Sequence, residues 1–472
     1  MNVMVVCLDT FRADLLEPDS PVGEAKTPAL DQFKDQGFSF DRAFGEGQPT
    51  LQFRRACFTG RRSFPWNFNY DRRGHWHHAP GWHKIPPHQD TLAEILLRRG
   101  YRTGLIADTY HMFKPTMNYT RGFASYEFIR GQESDNWKSG SLDAVRDQLA
   151  RHVRNPAKRR HFGTLIQYLW NMQGRETEDD YLCARVFGAA REWLTDNATN
   201  SPFMLWIDSF DPHEPWDPPK HYADEHADPC EIEYIMPHSV FAGGDPTEAE
   251  LQRTKALYLG EASLVDKWVG TLLETVDSLG LADDTLIIIT ADHGTQCLDH
   301  GGFGKGVPPL YAHDTRILWL MRGPGIPCGN SSAIVQSHDL MPTILNALGI
   351  EAPADGTSVL PIVRGDAQQL RDHAVIGWSG WADGRAKGRA SARDDFWNYS
   401  VSTGDEDLNE HLFDLQADPG EHHDIAGQHP EVLSMQRARV ETVLGQTLPC
   451  VHEETCDRDA PAPIDVWLRN RG

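Results

Sequence analysis

The sequence predicts an α/β protein in which a large sheet is sandwiched by helices over residues 1–365. A smaller antiparallel sheet with a helix and a tail is expected over 366–472. Three observations carry this expectation. Short apolar, β-branched runs at 3–8, 101–107, 202–207 and 287–290 stop abruptly at polar residues, as buried parallel strands do. Amphipathic stretches of helical period lie between them. Beyond about residue 370 the pattern changes to Gly-punctuated, aromatic-rich runs (AVIGWSGW, FWNYSVST, HLFDL). The 472 residues also exceed what one core usually serves.

Taken in order, the first strand delivers Asp9 at its carboxyl end. Thr27 and Pro28 then open a helix with Leu30 and Phe33 on one face. Gly45, Gly47 and Pro49 lead to Thr50, followed by a helical pattern over 51–58 that Gly60 ends. Thr50 thus lies at a helix N-terminus, which favours an anion, and Arg54 follows one turn on. The loop 66–88 carries His75, His77, His78, His83 and His88 at spacings too irregular for a metal motif. A helix over 91–100 precedes the second strand, which ends at Asp108 and brings His111 to the rim as a candidate substrate contact.

Helices around 142–153, 162–172 and 179–193 read as an insertion on the sheet. The next strand ends in Asp208, and a Pro-rich loop follows that holds Asp211, His213 and Glu214. A long core helix spans 247–279. The apolar run from Ile287 ends in Asp292 and His293, then enters a Gly-rich loop with His300 and Lys305. A strand ILWLM, preceded by His313 and Asp314, and helices over 337–348 and 432–443 complete the pattern. The tail, 449–472, is Pro-rich and charged, and is expected to drape over the chain or bridge to a second subunit as a homo-oligomer.

Ligands of open α/β sheets bind past the carboxyl ends of the strands, so Asp9 and Asp292 converge there although far apart in sequence. Two carboxylates with His293 suit a divalent metal, and Lys305 suits an anion. Lys and Arg total 45 against 68 for Asp and Glu, a formal charge of −23. That argues against wrapping nucleic acid or an anionic membrane, but leaves room for a small anionic ester in a locally basic pocket. The eight cysteines show no CxxC pair, and Cys450 with Cys456 is the pairing their positions allow. The start, MNVMVVCLD, has no basic n-region or long apolar h-region, and no stretch is long enough to span a bilayer. The default expectation is a cytoplasmic enzyme.

In the order VVCLDTFRADLL, ACFTGRR, FDPHEPWDPP, ITADHGTQCLDHGGFGKG, RILWLMRGPG and SHDLMPTILNALGI, the chain resembles the sulfatase family of the alkaline phosphatase superfamily nearly end to end. The resemblance implies an alkaline phosphatase-like fold whose large sheet is mixed rather than parallel. It implies one divalent metal held by Asp9, Asp292 and His293; with Thr50 added, that donor set would accept Mn, Zn, Ca or Mg. His213 and Lys305 fall where groups hold or protonate ester oxygens, and His111 where a further active-site histidine is usual.

Two departures stand out. The position that is Cys or Ser in sulfatases, and becomes formylglycine, is Thr50. It is followed by Leu51, Gln52, Phe53 and Arg54, so the usual Pro is replaced by Gln52. Threonine cannot give the aldehyde, because oxidising a secondary alcohol gives a ketone. Thr109 stands where a lysine is usual. The resulting expectation is hydrolysis of a phosphate diester or phosphonate monoester by a Thr50 nucleophile, with Arg54 and Lys305 stabilising the non-bridging oxygens. His213, or alternatively His300, protonates the leaving group. The alternatives are a sulfuric ester hydrolase using Thr50 without formylglycine and a catalytically weak metal-binding protein. A second ion held by Asp208, Asp211, His213 and His313 is a further alternative.

Overall fold

The computed structural model describes residues 1–65, 81–114, 117–155, 162–238, 240–306, 309–382, 385–450 and 463–470, with side chains described outside 380–387. His75, His77, His78 and Cys456 therefore lie outside the described residues. Cys7, Cys57, Cys183, Cys230, Cys297 and Cys328 are free thiols.

The strands in chain order are β1 (Asn2–Leu8), β2 (Phe38–Phe40), β3 (Ala43–Phe44), β4 (Gly47–Gln48), β5 (Arg102–Ala107), β6 (Ser125–Phe128), β7 (Phe203–Ser209) and β8 (Thr285–Ala291). There follow β9 (Gln296–Cys297), β10 (Phe303–Gly304), β11 (Trp319–Arg322), β12 (Gly329–Ser331), β13 (Val335–Gln336), β14 (Ala374–Ala382), β15 (Arg385–Arg393), β16 (Trp397–Ser402) and β17 (His411–Asp414).

The large sheet has eight strands in the order β12-β2-β11-β8-β1-β7-β5-β6. Its strands pair in parallel except β11, which runs antiparallel to both β8 and β2. The sheet is thus mixed, and a reading of every strand as parallel is corrected at β11. A continuous apolar run such as ILWLM reports burial on both faces, not strand direction.

The three central strands β1, β7 and β8 are buried along their whole length. Alternate residues of β1 serve opposite layers: Met4, Val6 and Leu8 join the core under the long helix Glu248–Ser278. Val3, Val5 and Cys7 join the core under helices Leu51–Thr59 and Leu340–Ala347. Register then fixes the rim. Leu8 is paired with Ala291 on one side and Ser209 on the other, so Asp9 and Asp292 emerge together and Asp208 lies opposite Cys7.

The second sheet has the order β17-β16-β15-β14-β4. Strands β14 to β17 are antiparallel, as the aromatic pattern predicts, but β4 joins in parallel, pairing Gly47 with Gly377 and Gln48 with Trp378. The segment that leads into Thr50 is therefore an edge strand of the C-terminal sheet. Gly377 permits this seam, because a Cβ there would lie 2.3 Å from the Phe64 ring. Strand β15, RAKGRASAR, gives no large apolar alternation; small Ala390 and Ala392 fill its inner positions instead. The described end of the tail, Pro463–Arg469, packs on the chain's own helix Phe162–Asn171, with the Trp467 and Trp170 rings 6.0 Å apart. Among the described residues, no helix is long and apolar enough to cross a membrane.

Candidate active site and metal centre

Asp9 follows β1, and Asp292 and His293 follow β8; all three are fully buried, and their ligand atoms lie within 4.8 Å of one another. The Nδ1 of His293 is 2.8 Å from the Gly294 carbonyl and donates to it when the ring is neutral. Its Nε2 then points a lone pair at the carboxylates, 3.5 Å from Asp292 and 3.8 Å from Asp9, and has no hydrogen-bond partner. Asp9 Oδ2 also accepts no hydrogen bond, although Arg54 Nη2 is 3.1 Å away. Orphaned buried acceptors facing one another are costly unless a cation sits between them. This donor set fits a divalent metal.

The electrostatics agree. Burial, then the neighbouring Asp292 carboxylate, push the Asp9 carboxyl well above its usual range. Burial opposes ionisation of Asp292 too, but the His293 imidazole and the Arg54 guanidinium hold it below the usual range. Burial pushes His293 down to about 4, so it is neutral and able to ligate at neutral pH.

Thr50 caps helix Leu51–Thr59 at φ 50°, ψ −90°, a conformation that a β-branched residue rarely adopts. Thr10, beside Asp9, is also left-handed at φ 63°. Such strain persists where the surroundings enforce it; Thr10 touches the metal group directly, and Thr50 is linked to it through Arg54 Nη1. Thr10 donates its hydroxyl to Asp9 and its backbone N–H to Asp292, at 2.8 and 3.0 Å. Gln48 Nε2 holds the Asp292 carbonyl at 2.8 Å.

Arg54 is wholly buried among three carboxylates. Its Nε donates to both oxygens of Asp208, and Nη1 donates to Asp292 Oδ2 at 2.8 Å and to the Thr50 carbonyl at 3.1 Å. Nη2 donates to Asp208 Oδ1 at 2.7 Å and to Thr109 Oγ1 at 3.3 Å. A guanidinium has five N–H groups, and these contacts use all of them. Arg54 as placed has none left for a substrate oxygen. Asp208 in turn accepts from the Thr109 hydroxyl at 2.6 Å and the Trp206 indole at 3.0 Å.

Lys305 Nζ lies 3.1 Å from both Thr10 Oγ1 and Glu214 Oε2, which leaves one of its three N–H groups uncommitted by these bonds. Glu214 is buried, and its carboxyl is held well below the usual range: burial opposes ionisation, but His213 and Lys305 outweigh it. His213 sits beside it, its Nδ1 2.6 Å from the Glu214 carbonyl and its ring stacked 4.1 Å from Phe210. Burial holds His213 well below the ordinary histidine range. His111 is buried, its ring centroid 6.2 Å from that of Phe210, and touches Lys114 and Glu133. Gln48 and Glu214 are supporting residues to which the sequence alone assigns no role, and Thr10 joins them.

Other expected groups do not come together. His300 stacks on Tyr311 at 3.7 Å, with His313 and His422 beside it. His300 and His313 line a cavity of about 1090 Å³ whose lining includes none of Asp9, Asp292 or His293. Asp211 is bonded to Gln132 and to the Cys183 N–H, and Asp208 is taken by Arg54. Among the described residues Asp9, Asp292 and His293 form the one metal-sized group, so the second-ion set Asp208, Asp211, His213 and His313 is corrected. Sharing one sheet rim did not make these residues neighbours: His300, in the turn between β9 and β10, and His313, in the short helix Ala312–Thr315, line a separate cavity.

A sulfatase family profile matches residues 1–350. The chain belongs to the sulfatase family. The C-terminal profile of N-sulphoglucosamine sulphohydrolase matches residues 299–446. Arylsulfatase K of Bos taurus is 24% identical over 94% of this chain and 81% of its own, and choline-sulfatase of Rhizobium meliloti is 23% identical over 89% and 81%. The fold matches the crystal structure of the phosphonate monoester hydrolase of Agrobacterium radiobacter with a TM-score of 0.71 at 19% identity, covering 94% and 95% of the two chains. This sulfatase-family member is an ester hydrolase with an alkaline phosphatase-like fold.

Proposed function

We propose that this hydrolase cleaves a phosphate diester or phosphonate monoester through a Thr50 nucleophile. The observation that carries the reading is Thr50 itself: a strained threonine at the start of a buried helix, tied through Arg54 Nη1 to the metal ligand Asp292. A secondary alcohol cannot become formylglycine, so direct attack by Oγ is the chemistry this residue allows. The Agrobacterium fold relative, a phosphonate monoester hydrolase, supports the choice of phosphoryl group.

A divalent ion held by Asp9, Asp292 and His293 would supply the positive charge that lowers the pKa of the Thr50 hydroxyl. The Thr50 Oγ–P bond forms as the bond from phosphorus to the leaving oxygen breaks. Lys305, with its uncommitted N–H, and the helix N-terminus meet the charge on the non-bridging oxygens. His213 enters neutral; with its Nδ1–H on the Glu214 carbonyl, Nε2 accepts the Thr50 proton and passes it to the leaving oxygen. Water then cleaves the phosphoryl-Thr50 ester. Arg54 holds Asp208, Asp292 and the Thr50 carbonyl in place rather than touching the substrate.

The sulfatase relatives favour a second reading, a sulfate ester attacked by the same Thr50. Rates on paired aryl substrates separate the two: a preference for the aryl sulfate over the aryl phosphate diester by orders of magnitude overturns the phosphoryl reading. Undiminished hydrolysis of both by Thr50→Ala removes Thr50 from the mechanism.

A further inference from the structure

We propose that Asp208 sets the charge of the group this site accepts, admitting monoanionic esters and turning away dianionic phosphate monoesters. The inference rests on the phosphoryl-transfer reading above and deepens it. Four buried carboxylates surround the reaction centre, Asp9, Asp208, Asp292 and Glu214, against two cations, Arg54 and Lys305. A bound divalent ion brings that balance to zero, and without it the balance is negative. A monoanionic phosphoryl group adds one negative charge to a dry, neutral pocket, and a dianionic group adds two. In a low-dielectric site the second charge carries a large penalty.

Asp208 and Glu214 lie outside the metal group, and of these two Asp208 is the one bound to Arg54. It lies at the end of β7, fully buried, and does two things at once. It adds a negative charge, and it takes up the Nε edge of Arg54 and one Nη2 N–H, the guanidinium donors that do not serve Asp292 or the Thr50 carbonyl. Thr109 reinforces the arrangement, accepting from Arg54 and donating to Asp208. Removing the Asp208 charge therefore makes the pocket more positive and loosens donors that an extra phosphoryl oxygen could use.

The experiment compares the wild type with Asp208→Asn at about pH 8, where an aryl phosphate monoester is a dianion. The ratio of kcat/KM for the monoester over that for an aryl phosphate diester is expected to rise at least about tenfold in the variant. Equal losses on both substrates, which a merely structural residue would give, overturn the proposal. Inorganic phosphate titrated into the metal-loaded proteins provides a readout free of turnover. Binding should be at least about tenfold tighter to Asp208→Asn; unchanged or weaker binding overturns the proposal. If that variant does not fold, Thr109→Lys, which adds positive charge beside an intact Asp208, should move both readouts in the same direction. A wild type that cleaves neither diester nor phosphonate ester defeats the reading of the substrate, while the phosphate titration still decides the role of Asp208.

Discussion

His293 holds its Nε2 3.5 Å from Asp292 Oδ2 with no hydrogen bond between them, while its other ring nitrogen is fixed on the Gly294 carbonyl. An imidazole tethered this way has its free lone pair aimed at a cation position. The protein is therefore expected to carry one divalent ion per chain after dialysis, and His293→Ala to weaken that ion's binding by at least about 10–100-fold, the scale that loss of a mere supporting partner already costs. Metal analysis and titration check this. Unchanged affinity in the variant would show that the ion, if present, sits elsewhere.

Metal binding should also be pH-dependent. Burial and Asp292 raise the Asp9 carboxyl well above its usual range, so in the metal-free protein Asp9 keeps its proton further up the pH scale than an exposed aspartate. The ion must displace that proton. Affinity then falls as pH falls through the raised Asp9 pKa, by up to about tenfold per pH unit, with one proton released on binding. His293, pushed down to about 4, contributes to this only in more acid solution. Calorimetry in buffers of different ionisation enthalpy measures the released proton, and an affinity that does not fall with pH anywhere above the ordinary aspartate range contradicts the assignment.

Arg54 should matter for stability as well as activity. Arg54→Met leaves Asp208, Asp292 and Asp9 crowded in a dry site without their shared cation. Breaking such a buried pair costs about 3–5 kcal/mol. Denaturant unfolding of the metal-free proteins measures it. A loss below about 1 kcal/mol, the scale of an exposed pair, would mean that Arg54 is not the keystone described.

The seam between the sheets gives a test remote from the chemistry. In Gly377→Ala the added carbon meets the Phe64 ring at 2.3 Å, so β14 or Phe64 must shift beside the β4 pairing. Overpacking of this kind costs roughly 1–3 kcal/mol. Because β4 leads directly into Thr50, kcat should fall as well, with little change in metal affinity. Full activity in a destabilised variant would uncouple the seam from the nucleophile loop.

Much of this architecture is legible in the sequence, because burial on both faces writes itself as apolar runs and the residue after each run marks the rim. Asp9, Asp292 and His293 could be placed together on that logic alone, and Gly60 marks the end of the helix that begins after Thr50. What was not legible are relations between side chains. Asp208 reads as one more rim carboxylate and a candidate ligand; its commitment to Arg54 depends on the register of β7 with β1, which places it opposite Cys7. His300 and His313 follow the metal strand in sequence, yet both line the neighbouring cavity. The union of β4 with β14 left no mark, since a two-residue strand has no period to read.

The central claim is that Thr50 forms a covalent phosphoryl ester. The most direct test is to quench the protein in acid during turnover of an aryl phosphate diester or phosphonate monoester and map the adduct by peptide mass spectrometry. The account predicts the added phosphoryl mass on the peptide holding Thr50, and its absence from Thr50→Ala together with loss of turnover. An unmodified Thr50 peptide alongside undiminished turnover by Thr50→Ala would contradict it.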